Sequence, residues 1–138
     1  MSFDVIKNKL VSRLGALGYS ESKQSWDFEN ASVHEYDNSF ILRCREGENI
    51  ETLVGQFDDE QTWEIDIAFT KSSKNDVINR DIITRRLQEI IKDLDNPTNW
   101  QGITNGSKMQ RYESWELTDV ENYFLLTITL KIVDQLTF

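Results

Sequence analysis

The chain has 138 residues, 38% hydrophobic and 28% charged, with four Trp, seven Phe and four Tyr, a profile of one ordered domain over 1–138 that buries a core without staples. Fifteen basic against twenty-four acidic side chains leave a formal charge of -9, which argues against sequence-independent phosphate binding, because that task needs a cationic surface. The start MSFDVIKNKL lacks a cationic segment followed by an apolar run, no stretch is apolar enough for a bilayer, and Cys44 is the only cysteine, so the expectation is a cytoplasmically made protein with no membrane span and no internal disulfide.

Phe3, Ile6, Leu10, Leu14 and Leu17 recur at helical spacing and predict a first helix, with Ser2 as N-cap and Gly18 placed to end it. Tyr19–Ser32 is polar, and its two aromatics, Trp26 and Phe28, are expected to pin an irregular loop to the core. Val33–Arg45 reads as a strand region, strongest over Ser39–Arg45, where Phe40, Leu42 and Cys44 alternate with Ile41, Arg43 and Arg45. From Glu46 to Asp66 there are eight acids and no Lys or Arg. Ile50, Leu53, Val54 and Phe57 make this segment too apolar for a disordered loop, so it predicts a long hairpin arm.

Trp63, Ile65, Ile67 and Phe69 alternate with Glu64, Asp66 and Ala68, which makes Thr62–Thr70 the cleanest internal strand. A turn over Lys71–Asn75 leads to a second helix, capped by Asn75 or Asp76 and running to about Leu94. Ile83, Leu87, Ile90, Ile91 and Leu94 share its buried face. Ile78 and Ile82 fall on the opposite side with Arg85 and Glu89, which a contact outside the domain would explain. Asp95–Gly106, with the only proline, is a connector. Lys108–Leu117 reads as a strand, with Tyr112 and Trp115 on opposite sides and Trp63 and Trp115 as core fillers. Thr118-Asp119 with Val120 reads as a turn before the terminal strand.

In that strand Phe124, Leu126, Ile128, Leu130 and Ile132 form a core side. Tyr123, Leu125, Thr127, Thr129, Lys131 and Val133 form a second side that is apolar enough to need cover from a helix, a second sheet or another subunit. The element order α, β, β, α, β, β predicts an α+β fold: a four-stranded, largely antiparallel sheet with two helices packed on one face, plus the acidic hairpin arm.

Chemistry is weakly signalled. His34 has no metal-spaced partner, and no glycine pattern suits a phosphate. Zinc, Cys/His catalysis and nucleotide binding therefore lack support, and no cofactor is expected. Asp58, Asp59 and Glu60, then Glu64 and Asp66 on one strand side, are the best candidates. Two acids so spaced hold a divalent ion in some hydrolases, yet a solvated acidic strand side has the same spacing, and Ile67 and Ala68 follow Asp66 where a nuclease would place lysine. Trp100, beside Asn96, Asn99 and Gln101, is a candidate partner contact, with loop anchoring as the alternative.

The layout resembles the tail terminator family of long-tailed phages, also called tail-completion or minor tail protein U-like proteins. The likeness lies in an N-terminal helix, a strand, an acidic arm, the Trp-led strand Thr62-Trp63-Glu64-Ile65-Asp66-Ile67, a long helix and a closing hairpin. Tyr112-Glu113-Ser114-Trp115 through Leu117-Thr118-Asp119 into Tyr123–Thr129 is its closest part. Tyr19–Ser32 and the Leu136-Thr137-Phe138 tail depart from it. The resemblance implies a non-enzymatic virion protein at the head-proximal end of the tail. It would assemble with itself as a ring, expected to be a hexamer, that caps the tail tube, ends its polymerisation and meets the tube protein and a head-completion or connector protein.

On that reading Ile78, Ile82, Arg85, Arg86, Tyr123 and Leu125 are subunit-interface candidates. Glu48, Glu51, Asp58, Asp59 and Glu60 form an arm facing the tube or lining a lumen through which DNA passes without specific binding. The acids equally serve to keep a hairpin soluble, and Arg85 and Arg86 either pair across a subunit boundary with the arm or are ordinary helix-surface charges. Two other classes stay open: a small metal-dependent hydrolase using Glu64 and Asp66, and an acidic, inhibitor-type protein-binding module presenting Glu46–Glu60 to a basic partner.

Overall fold

The computed structural model describes residues 3–31, 35–53, 56–100 and 110–137; for residues 3, 49–53, 56–58, 110 and 134–137 it describes the backbone alone. Helix α1 (Phe3–Ala16) buries Ile6, Leu10 and Leu14 completely. It ends as its sequence dictates. Gly18 takes φ +99, the Gly18 N–H donates to the Gly15 carbonyl and the Tyr19 N–H to the Leu14 carbonyl, a closure that favours glycine because a Cβ is disfavoured at positive φ.

Strands β1 (Ser20–Glu21), β2 (Ser39–Leu53), β3 (Gln56–Thr70), β4 (Gln110–Val120) and β5 (Tyr123–Thr137) form one sheet in the order β1-β2-β3-β5-β4. The architecture is α+β. The sheet has five strands rather than four and is mixed, because β1 pairs in parallel with Ser39 and Phe40 while the other pairings are antiparallel. A two-residue strand carries no alternation, so no periodic pattern marks it.

Helix α2 (Asp76–Leu94) begins where predicted, with the Asn75 side chain accepting from the Val77 N–H. Asn79 is buried yet satisfied: its Oδ1 accepts from the Ser73 N–H at 2.9 Å and its Nδ2 donates to the Ser73 carbonyl at 2.7 Å. Ile83, Leu87, Ile90 and Leu94 of α2 join Ile6, Leu10 and Leu14 of α1 over Phe40, Trp63, Ile65, Ile67, Phe124, Leu126, Ile128, Leu130 and Ile132. Both helices thus cover one sheet face. Each large side chain buried there contributes roughly 1.5–3 kcal/mol. The Arg13 guanidinium, paired with Asp93, ties the helices together.

A β-bulge in β4 corrects a predicted side assignment. It lies between Tyr112 and Ser114, so Tyr112 pairs with Leu130 and Trp115 with Ile128. These partners are two apart on β5, which places both aromatics on the helix side of the sheet. Trp115 fills no core and is 46% exposed, because β4 is the edge strand. The closing turn also falls later than predicted, at Glu121-Asn122, with Glu121 at φ 54.

The arm is more than a hairpin. Residues 56–62 of β3 pair with 46–53 of β2 on one side and with 131–137 of β5 on the other. The result is a three-stranded ribbon that runs about 20 Å from Thr62 to Gln56 at about 3.3 Å per residue. Within β3 the described core begins at Trp63.

Candidate functional site

Three places bring polar or exposed apolar side chains together: the outer sheet face, the ribbon and the outer side of α2. On the outer face, the acids singled out as metal candidates are held by arginines. Arg43 Nη2 lies 2.8 Å from both Glu64 Oε2 and Asp66 Oδ2, and Arg45 Nη1 lies 3.2 Å from Glu64 Oε1. Thr127 Oγ1 donates to Asp66 Oδ1 at 2.7 Å. Burial pushes the Asp66 carboxyl above the ordinary carboxylate range, while the Thr127 hydrogen bond and Arg43 pull it back. A divalent ion at Glu64 and Asp66 would have to displace Arg43. Among the described residues no cluster of three or more His, Cys, Asp or Glu offers metal-ligand geometry. His34 lies outside them.

The signal for this ladder was present in the sequence. Arg43 and Arg45 alternate with Leu42 and Cys44 as Glu64 and Asp66 alternate with Trp63 and Ile65, and only the register, Arg43 opposite Glu64, was missing.

Farther along the same face, the chain covers itself. The ring of Tyr123, a candidate interface residue, is fully buried against Phe28 at 5.1 Å and Tyr36 at 6.0 Å, and its hydroxyl accepts from the Tyr36 N–H at 3.2 Å. Trp26 completes the cluster beside Phe28 and donates its indole N–H to Ser39 Oγ. Trp26 and Phe28 do pin their loop, but to the outer face rather than to the core between sheet and helices. Tyr123 therefore has no surface to offer a neighbouring subunit, whereas Leu125 is half-buried.

Trp100 is also corrected. It lies in a 3-10 turn (Pro97–Trp100), is fully buried, and donates its indole N–H to the Leu94 carbonyl at 2.9 Å. It anchors the loop and has no face left for a partner.

The ribbon places like charges opposite one another. Glu48 faces Glu60, and the backbone register sets Glu51 against Asp58 and Asp59 against Asp134. Directly opposed like charges destabilise a sheet. Arg111 Nη2 comes within 3.6 Å of Glu60 Oε2, and Asp59 Oδ2 accepts from Gln61 Nε2 at 3.1 Å. The Asp59 carboxylate also lies over Gly47, where a Cβ would meet its oxygens at 2.7 and 2.8 Å. The side chains of Glu51 and Asp58 lie outside the described part.

The outer side of α2 is the third place. Val77, Ile78 and Ile82 are 69%, 48% and 42% exposed, so the predicted second apolar side is real. Arg85 and Arg86 are exposed beside them. Below Ile82 and Arg86 lies a cavity of about 140 Å³, lined also by Phe69, Thr70, Asn79 and Ile83. Burial pushes the Tyr19 hydroxyl above its usual pKa, while the neighbouring Arg86 charge pulls it back. Arg85 and Arg86 thus share a site with Ile78 and Ile82, whereas Tyr123 does not join them. No helix among the described residues is long and apolar enough to cross a membrane. No family model matches this chain, and no curated protein matches it.

Proposed function

We propose that this protein is a structural component of a long phage tail, a terminator that assembles as a ring, caps the tail tube, ends its polymerisation and forms part of the head-tail junction. The observation that carries the reading is the pairing of two surfaces an isolated subunit has little use for: an apolar strip on α2 and an acidic ribbon extending past the helix-backed core. Ring assembly buries the first and gives the second a task. An acidic wall repels phosphates, so carboxylates of the arm that face the lumen would let DNA slide past without adhering. Tube protein and a head-completion or connector protein would then meet the two rims of the ring in the virion, after assembly in the host cytoplasm.

The arginine ladder over Glu64 and Asp66 weighs against the metal-dependent hydrolase alternative, since each acid already has a cationic partner. An inhibitor-type module is the second reading favoured by the ribbon, because a narrow acidic projection also suits a basic partner. Phage production without this protein separates them. Overlong tubes and tails without heads are expected, and normal tails joined to heads would overturn the terminator reading.

A further inference from the structure

The ribbon and the exposed strip of α2 lie at opposite ends of the same strand. β3 leaves the ribbon at Thr62 and reaches Thr70 about 25 Å later, and α2 then starts at Asp76 with Ile78 and Ile82 in its first two turns. Surfaces at opposite poles do not satisfy each other within one copy. They suit a head-to-tail contact, the type that closes into rings when the rotation allows.

We infer that the acidic ribbon of one copy docks on Ile78, Ile82, Arg85 and Arg86 of the next, with one ribbon carboxylate entering the cavity beside Arg86; this rests on the ring reading above. Charge complementarity carries the choice of occupant. Glu46 and Glu48 are exposed, and Glu48 faces Glu60, whose side chain Arg111 approaches at 3.6 Å, so a guanidinium from another molecule would answer the remaining ribbon charge. Arg85 and Arg86 supply such groups next to apolar surface that a strand can cover.

The cavity sets the scale. Ligand pockets run to about 300–1,000 Å³, so 140 Å³ suits the end of one side chain rather than a whole metabolite. Its lining includes Arg86, Thr70 and Ser72. The Asp37 carboxylate, also at the wall, is engaged by the Thr70 N–H at 2.9 Å.

The test is a charge swap read by sedimentation velocity across a concentration series. One variant carries Arg85→Glu and Arg86→Glu, the other Glu46→Lys, Glu48→Lys and Glu60→Lys. Each alone is expected to need at least about tenfold more protein to assemble, whereas an equimolar mixture restores wild-type-sized assemblies, because each reversed surface then meets its complement. Either variant assembling like wild type, or a mixture of two folded variants remaining monomeric, overturns the contact while leaving the ring reading intact. A wild-type protein that stays monomeric throughout overturns both. If a reversed variant does not fold, Arg86→Gln and Glu48→Gln replace it: each is expected to weaken assembly and the pair no further, and fully additive losses refute the contact.

Discussion

Strands β2, β3 and β5 each run 15 residues, and their two halves differ in kind. In the helix-backed half, Trp63, Ile65, Ile67, Leu126 and Ile128 are at most 1% exposed. In the ribbon half, acids face acids and no described residue of β3 before Trp63 joins the core. One set of strands therefore serves folding at one end and, on the proposed reading, assembly at the other. Substitutions should sort accordingly.

The largest effect belongs to the covered half. Trp63→Ala is expected to cost about 3–5 kcal/mol in urea unfolding, and a loss below 1 kcal/mol would break the contrast. The outer-face aromatic cluster is intermediate. Phe28 is only half-buried, so Phe28→Ala should cost about 1–2 kcal/mol, and a negligible cost would mean that the loop does not protect Tyr123.

Asp66 sharpens the comparison through pH. Its folded carboxyl titrates above the ordinary range because of burial, so between the unfolded value, about 3.9, and the raised one the native state holds more protons. Stability from this group therefore falls as pH rises through that window. Asp66→Asn removes the titration, and thermal melts should show the variant gaining on wild type from pH 4 to pH 7. A constant difference would contradict the assignment. The smallest effect lies in the ribbon: Glu48→Lys places opposite charges across from Glu60 and should raise stability by about 0.2–0.5 kcal/mol while weakening assembly.

Much of the covered half was legible in the sequence. The 3.6-residue stripes of α1 and α2 and the alternation of Trp63 to Phe69 and Phe124 to Ile132 follow from one-sided burial, which imposes a period. What eluded it lacks a period. The bulge between Tyr112 and Ser114 shifts the side assignment of Trp115, β1 is too short to alternate, and the turn takes Glu121 through positive φ where Asn or Gly is the usual signal. The exposed strip on α2 was visible because Ile78 and Ile82 fall out of phase with Ile83 and Leu87. Trp100 and Tyr123 were misplaced because an aromatic ring's burial depends on loops, Asn96–Asn99 and Trp26–Tyr36, whose paths no local pattern fixes. The arginines over Glu64 and Asp66 needed the strand register.

Electron microscopy of the purified protein tests the central claim most directly. Closed rings with a central hole wide enough for duplex DNA are the predicted result. A field of single particles at every protein concentration, alone and with tube protein added, would contradict it.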